Sequence, residues 1–197
     1  MKDKQDIFNK IYAKNLWNGG SGPGSLPENA KEWISYANKI IQSNDVFTIL
    51  DLGCGDWQIG KCLNLSNKKY MGVDVSSVII EKTKENSSDS ISFICDDIEN
   101  MDFPKVDLIL IKDVLQHLPN SSVSKIMNKV IANSKYALIC NDCKPHDMIN
   151  SDIEPGDWRP LDLSDKPFSY DIQDLKIFQS KDAVKKISLY INKDFNK

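Results

Sequence analysis

Residues Ile49 to Trp57 read ILDLGCGDW, and the fold turns on this stretch. Its start continues an apolar run from Val46 to Leu50, a length that suits a buried strand. Gly53 and Gly55 follow at once. Lacking a Cβ, they let the chain turn tightly and let a ligand approach the backbone. The pattern from Ile59 to Leu65 is then compatible with a helix. Strand, glycine turn and helix open a βα unit, and in open α/β sheets ligands sit beyond the carboxyl ends of the strands, where this turn lies.

Working outward, four more apolar runs follow at Tyr70–Val73, Ile91–Cys95, Val106–Ile111 and Tyr136–Cys140. Most lack polar alternation, as expected of parallel strands covered on both faces. Ser76 to Glu85 and Ser121 to Ala132 carry helical patterns, with Ser76 and Ser121 at expected N-cap positions. A polar, proline-containing stretch runs from Asn141 to about Asp171. Two last strand candidates, Leu175–Gln179 and Ile187–Ile191, are separated by SKDAVKK, short enough for a hairpin and an antiparallel sheet end.

Upstream, Lys4 to Trp17 places Ile7, Phe8, Ile11, Tyr12 and Leu16 at helical spacing. Glu28 to Ser43 does the same through Trp33, Ile34, Ala37, Ile40 and Ile41. Between them NGGSGPGS, from Asn18 to Ser25, must be loop. Residues 1–45 thus read as a helical cap and Gly/Ser loop packed on a core of residues 46–197, one domain overall.

The chain has 197 residues, 41% hydrophobic and 27% charged, with a net charge of −3 and interspersed signs. That composition argues for a globular protein acting on a small molecule and against a nucleic-acid binder, which concentrates Lys and Arg on one face. No apolar run approaches the roughly 20 residues needed to cross a bilayer, and the first residues lack the apolar core of a secretory signal. Five cysteines, an odd number, fit free thiols in a reducing cytoplasm. Cys140 and Cys143 form a single CxxC, two ligands short of a structural zinc site, so no metal is expected there.

Chemistry enters with the acidic residues. Asp51 lies just before the glycines, where an anion repels a pyrophosphate and attracts an ammonium group. Asp74 ends the second strand within GVDV, 19 residues after Gly55, where a carboxylate can accept both ribose hydroxyls. Asp96 and Asp97 end the third strand within FICDDI, where a carboxylate can take an adenine amine. The dinucleotide fingerprint fails because Gln58 stands where GxGxxG needs glycine, and no Walker A lysine follows. Adenosine recognition without phosphate-binding equipment describes a pocket for S-adenosylmethionine.

ILDLGCG, GVDV, FICDDI and DLILIKDVLQHL, in this order between Val46 and Cys140, resemble motif I, the acidic strand end after it, motif II and motif IV of class I S-adenosylmethionine-dependent methyltransferases. The resemblance implies a Rossmann-like three-layer αβα sandwich around a seven-stranded, mostly parallel sheet with one antiparallel strand near the C-terminus. It implies that Asp51, Gly53 and Gly55 line the methionine side of S-adenosylmethionine. Asp74, with Val75 beside it, would hold the ribose. Asp97 or Asp96, with Ile98 against the ring, would read adenine. Lys112 and Asp113 would flank the methyl group. The family often has a third glycine where Trp57 stands, so this indole either walls the methionine end or packs under the sheet.

Other candidates have two readings each. The backbone N–H groups of the loop around Gly22 suit a carboxylate or phosphate, or the loop is a linker. Trp17 caps the cofactor pocket or anchors its helix. His117 lies four residues after Asp113. On a helix the two share a face, with His117 as general base and Asp113 beside it; alternatively the histidine holds a loop. Asn141, Asp142 and His146 follow the fifth strand and suit acceptor binding, a divalent ion with Asp113, or turn capping. Trp158 and Arg159 read as an acceptor wall with an anion clamp, or as a pinned surface loop. The expected activity is methyl transfer to a small polar acceptor, as O-methylation of a metabolite or of a sugar or phosphorylated glycan precursor. N-methylation of a small amine and a non-catalytic cofactor-binding subunit are the alternatives. A cytoplasmic monomer or homodimer without membrane attachment completes the expectation.

Overall fold

The computed structural model describes residues 4–18, 20–181 and 183–195. Gly19 of the expected loop, Asp182 of the expected hairpin and the terminal residues 1–3 and 196–197 lie outside them.

Seven strands form one sheet: β1 (Thr48–Leu52), β2 (Lys69–Asp74), β3 (Ile91–Cys95), β4 (Val106–Lys112), β5 (Ser134–Asp142), β6 (Gln173–Gln179) and β7 (Val184–Ile191), in the order β3-β2-β1-β4-β5-β7-β6. The pairings among β1 to β5 are parallel, and β7 runs antiparallel to both β5 and β6. One reversed strand within an otherwise parallel sheet is what the terminal hairpin predicts.

Alternate residues of the central strands feed two cores. Leu50, Leu52, Ile109, Ile111, Ala137 and Ile139 face one side. There α4 (Asn120–Asn133) buries Val123, Ile126, Met127 and Val130, an i, i+3, i+4, i+7 stripe. Ile49, Leu108, Leu110, Leu138 and Cys140 face the other. That side is covered by Trp33, Ala37 and Ile41 of α2 (Lys31–Ile41) and by Ile79 and Ile80 of α3 (Ser77–Thr83). The result is three layers. The N-terminal helix α1 (Lys4–Ala13) packs on α3 and brings Phe8 against the first core.

Three local expectations are corrected. Ile59–Leu65 forms only a one-turn 3-10 helix, Gly60–Cys62, because Leu63 leaves helical backbone to enter the second core. Ser121 is not a cap: α4 begins at Asn120 after Pro119, and Asp152 accepts the Asn120 N–H at 2.8 Å. Ser76 does stand at the N-cap of α3, but its hydroxyl donates to Asn9 Oδ1, which also accepts the Val78 N–H. A side chain of α1 therefore does the capping.

The candidate active site

Strand order reverses between β1 and β4, since β2 and β3 lie to one side and β5 to the other. Such a switch point opens a crevice beyond the strand ends, and acidic residues of five strands converge near it. Asp51 stands inside β1, Asp74 ends β2, Asp97 follows β3, Asp113 follows β4 and Asp142 ends β5. Two adjoining cavities occupy the crevice, sharing Trp17, Ser21, Asp113 and His117 in their walls.

The smaller cavity, about 80 Å³, lies over β1, β2 and β3 and is lined by Gly53, Asp74, Val75, Asp97 and Ile98, with Lys112 at one end. Gly53 has φ +75°, and a Cβ there would meet Val114 Cγ2 at 2.3 Å. Gly55 has φ +54° and its N–H donates to Asp74 Oδ2 at 3.1 Å, so it shapes the acid from behind and does not line the cavity. The Ser76 N–H donates to the other Asp74 oxygen at 2.9 Å. Burial pushes the Asp74 carboxyl up to about 6 despite both bonds. Asp51 is also raised to about 6 by burial, offset by the Tyr70 hydroxyl. It borders a separate recess of about 40 Å³ with Gly53 and Lys112.

Between the two adjacent aspartates the structure chooses. Asp97 lines the cavity, whereas Asp96 is exposed and accepts the Asp97 N–H. The Asp97 carboxylate already holds Lys4 of α1 at 3.1 Å, a partner that the sequence pattern did not flag. Trp57 packs under the sheet, edge-on to Phe93 at 5.2 Å and beside Tyr70 at 5.9 Å. Its φ of +60° shows why a glycine suits this position; the aromatic cluster offsets the strain.

The larger cavity, about 450 Å³, lies over β4, β5 and β7. Residues 20–25 fold over the crevice: Ser21 Oγ accepts the Asp56 N–H, the Lys112 ammonium donates to Gly24 O at 2.8 Å, and Gly22 lines the larger cavity, not the smaller one. Trp17 divides the two spaces, its ring 5.4 Å from the imidazole of His117. Asp113 and His117 do not share a helix face. Asp113 adopts φ +57° after β4, and His117 ends a one-turn 3-10 helix, Leu115–His117. Both still line the same cavities because this turn is pinned by the 156–159 segment: Gly156 N–H donates to His117 O and Arg159 N–H to Gln116 O.

His117 Nδ1 lies 2.9 Å from Asp157 O. A carbonyl only accepts, so Nδ1 carries the hydrogen and Nε2 has the free lone pair. Burial lowers the histidine pKa, against the Asp157 carbonyl and the charges of Asp113 and Asp142. Asp113 bonds Lys112 and Lys185. Burial alone would raise its carboxyl, but these two cations hold it well below the usual range.

Trp158 lines the larger cavity and donates from Nε1 to Asp142 Oδ2 at 2.8 Å. Arg159 is corrected: it is fully buried, and its guanidinium donates to Leu115 O, Leu118 O and Asn120 Oδ1. Its donors hold the turn that carries His117 and cannot clamp a ligand. His146 is exposed on a 3-10 turn and lines neither cavity; the neighbouring Lys144 and Pro145 line the larger one instead. Lys185 of β7, register partner of Asp142, is the residue that sequence reasoning missed. Its signal is two lysines inside the apolar run VKKISLYI, which point to opposite faces. Lys185 bonds Asp113 and Asp142, while Lys186 bonds Asp162 and Asp174. Among the described residues, no helix is long and apolar enough to cross a membrane.

A family described as a methyltransferase domain matches residues 43–186. The mitochondrial ubiquinone biosynthesis O-methyltransferase of Schizosaccharomyces pombe is 24% identical over 145 residues, 68% of this chain and 53% of that protein; the chain spans about half its length. The solved structure of magnesium protoporphyrin IX methyltransferase from Synechocystis PCC 6803 with bound SAM superposes with a TM-score of 0.70 at 12% identity, covering 98% of both chains. The N-methyltransferase NodS from Bradyrhizobium japonicum WM9, in complex with S-adenosylhomocysteine, gives 0.70 at 14% identity, covering 96% of this chain and 98% of that one. Both share its fold.

Proposed function

Because the chain belongs to the class I S-adenosylmethionine-dependent methyltransferases, we propose that it methylates an oxygen of a small polar acceptor, with the cofactor over β1–β3 and the acceptor over β4, β5 and β7. The observation that carries this reading is the pair of adjoining cavities, with Asp113 and His117 in both walls. The donor set of the smaller one fits the cofactor. Asp74 accepts from the ribose hydroxyls, Asp97 and Ile98 face adenine beside Val75, and Asp51 attracts the methionine ammonium near Gly53 and Lys112.

The cofactor supplies an electrophilic methyl on a positive sulfur, so the protein's work is positioning and exclusion of water. Its cavity of about 80 Å³ is well below the roughly 300 Å³ at which small-ligand sites begin. Trp17, Phe8 and Tyr12, which line it, therefore move outward to admit the cofactor. The larger cavity, at about 450 Å³, suits a single-ring acceptor, such as a sugar, held by Asp142 and Trp158. His117 Nε2 takes the proton from its hydroxyl. The protein acts on small molecules and not on nucleic acid, as a cytoplasmic monomer or homodimer, with residues 1–45 as a cap on the catalytic core.

Co-crystallisation with S-adenosylhomocysteine tests the placement. Its sulfur is expected between Gly53 and Asp113, facing the larger cavity. A sulfur elsewhere, or calorimetry showing binding of nicotinamide nucleotides and none of S-adenosylhomocysteine, overturns the reading.

A further inference from the structure

The larger cavity contains a cation that the steps above leave idle. Lys185 is almost completely buried, and its Nζ lies 2.7 Å from Asp113 Oδ1 and 2.6 Å from Asp142 Oδ1. An ammonium has three donors, so one N–H remains after these two bonds, on a side chain that lines the cavity. Burial works against the charge, but Asp113 and Asp142 reverse that and hold the lysine above its ordinary pKa. Cys140 of β5 also lies within its electrostatic reach. Lys185 and Lys112 together balance the charges of Asp113 and Asp142, and Lys144 and Lys181 add positive charge at the exposed mouth.

We propose that Lys185 is a second catalytic group, whose remaining N–H binds the acceptor oxygen as His117 deprotonates it, and that the acceptor is a neutral or anionic hydroxy compound and not a cationic amine. This rests on the larger cavity being the acceptor site. The O–H bond breaks and its proton goes to His117 Nε2. The oxygen lone pair forms the new O–CH₃ bond, and the electrons of the broken S–C bond return to sulfur as a neutral thioether. A fixed ammonium beside the developing oxyanion stabilises it where water is excluded. The same charge opposes an ammonium substituent set against this N–H. A neutral imidazole beside a permanent cation is thus matched to a hydroxyl and mismatched to a protonated amine.

The test uses the full chain with S-adenosylhomocysteine bound and 4-nitrophenol as probe, whose phenolate is yellow. Wild type is expected to bind it as the phenolate, with ionisation at least tenfold more favourable than in buffer, and to bind benzylamine more weakly. Lys185→Met should abolish the tenfold gain while retaining S-adenosylhomocysteine binding. Since this exchange leaves Asp142 without its cation beside Asp113, which keeps Lys112, Lys185→Met/Asp142→Asn, checked by thermal melting, removes the uncompensated charge and tests the same nitrogen. Unshifted ionisation in wild type, an equal shift in the variants, no uptake of the probe, or preference for benzylamine overturns the assignment. Absent S-adenosylhomocysteine binding instead overturns the methyltransferase placement itself.

Discussion

The two halves of the crevice are built differently. The half proposed for the cofactor draws Asp51, Gly53, Asp74 and Asp97 from β1 and from the ends of β2 and β3 and the turns after them, within residues 51–97. The half proposed for the acceptor brings together Trp17, His117, Asp142, Trp158 and Lys185, which come from separate segments of the chain. The acids of the first are set by local βα geometry, with Phe8, Tyr12 and Trp17 closing over them, whereas the second exists only when distant segments dock. The difference predicts that damage to docking should harm acceptor binding more than cofactor binding, while damage to a strand end should do the reverse.

The largest expected effect breaks the docking. Arg159→Ala removes three bonds to the turn carrying His117 and should cost about 3 kcal/mol or more in urea unfolding, at about 1 kcal/mol or more for each bond. Over a chain of this size that is a fall in Tm of about 6–12 °C. Below that temperature S-adenosylhomocysteine affinity should fall less than acceptor binding, because His117 and Leu118 of that turn also line the smaller cavity. If it falls in step with stability, the two halves are one unit and the comparison fails. Next, His117→Ala should lower kcat on a hydroxyl acceptor by ~10²-fold or more with cofactor affinity unchanged. In wild type the lowered pKa keeps the imidazole neutral at neutral pH, so kcat should be flat there and fall only in acid. A loss confined to KM reassigns the histidine to acceptor binding.

On the other side of the divide, Asp74→Ala should weaken S-adenosylhomocysteine binding by about 1.5–3 kcal/mol, the scale of hydrogen bonds to a charged group. Wild-type affinity should also fall as the pH drops below about 6, because Asp74 and Asp51, both raised to about 6, then gain protons and stop acting as anionic acceptors. Calorimetry between pH 5 and 8 reads both, and a pH-independent affinity removes Asp74 from the site. The smallest effect sharpens the picture of entry. Lys4→Ala frees Asp97 from a partly exposed ion pair and should tighten cofactor binding by less than about 1 kcal/mol; weaker binding would make Lys4 a cofactor contact.

Much of the fold is readable in the residues because hydrophobic pattern and turn chemistry act locally. All seven strands lie within a few residues of their apolar runs, and β3 coincides with its run. The helix expected at Ile59–Leu65 failed because the destination of Leu63 is a tertiary matter. The placing of the acids at the strand ends beside the crevice was legible from sequence position alone. Arg159 and His146 were misread because an arginine or histidine in an irregular stretch carries no sign of the side it faces. Here one is buried and the other turned to solvent.

By itself the sequence determined the parallel sheet, the glycine turn and the acidic strand ends, since each follows from the periodicity of a strand and the φ freedom of one or two residues. Only the tertiary structure decided that Asp97 and not Asp96 faces the cavity, that Trp57 lies under the sheet, and that Lys185 sits between Asp113 and Asp142. The reason is that a buried charge is stable only where a partner awaits it, and for Lys185 both partners lie more than 40 residues away.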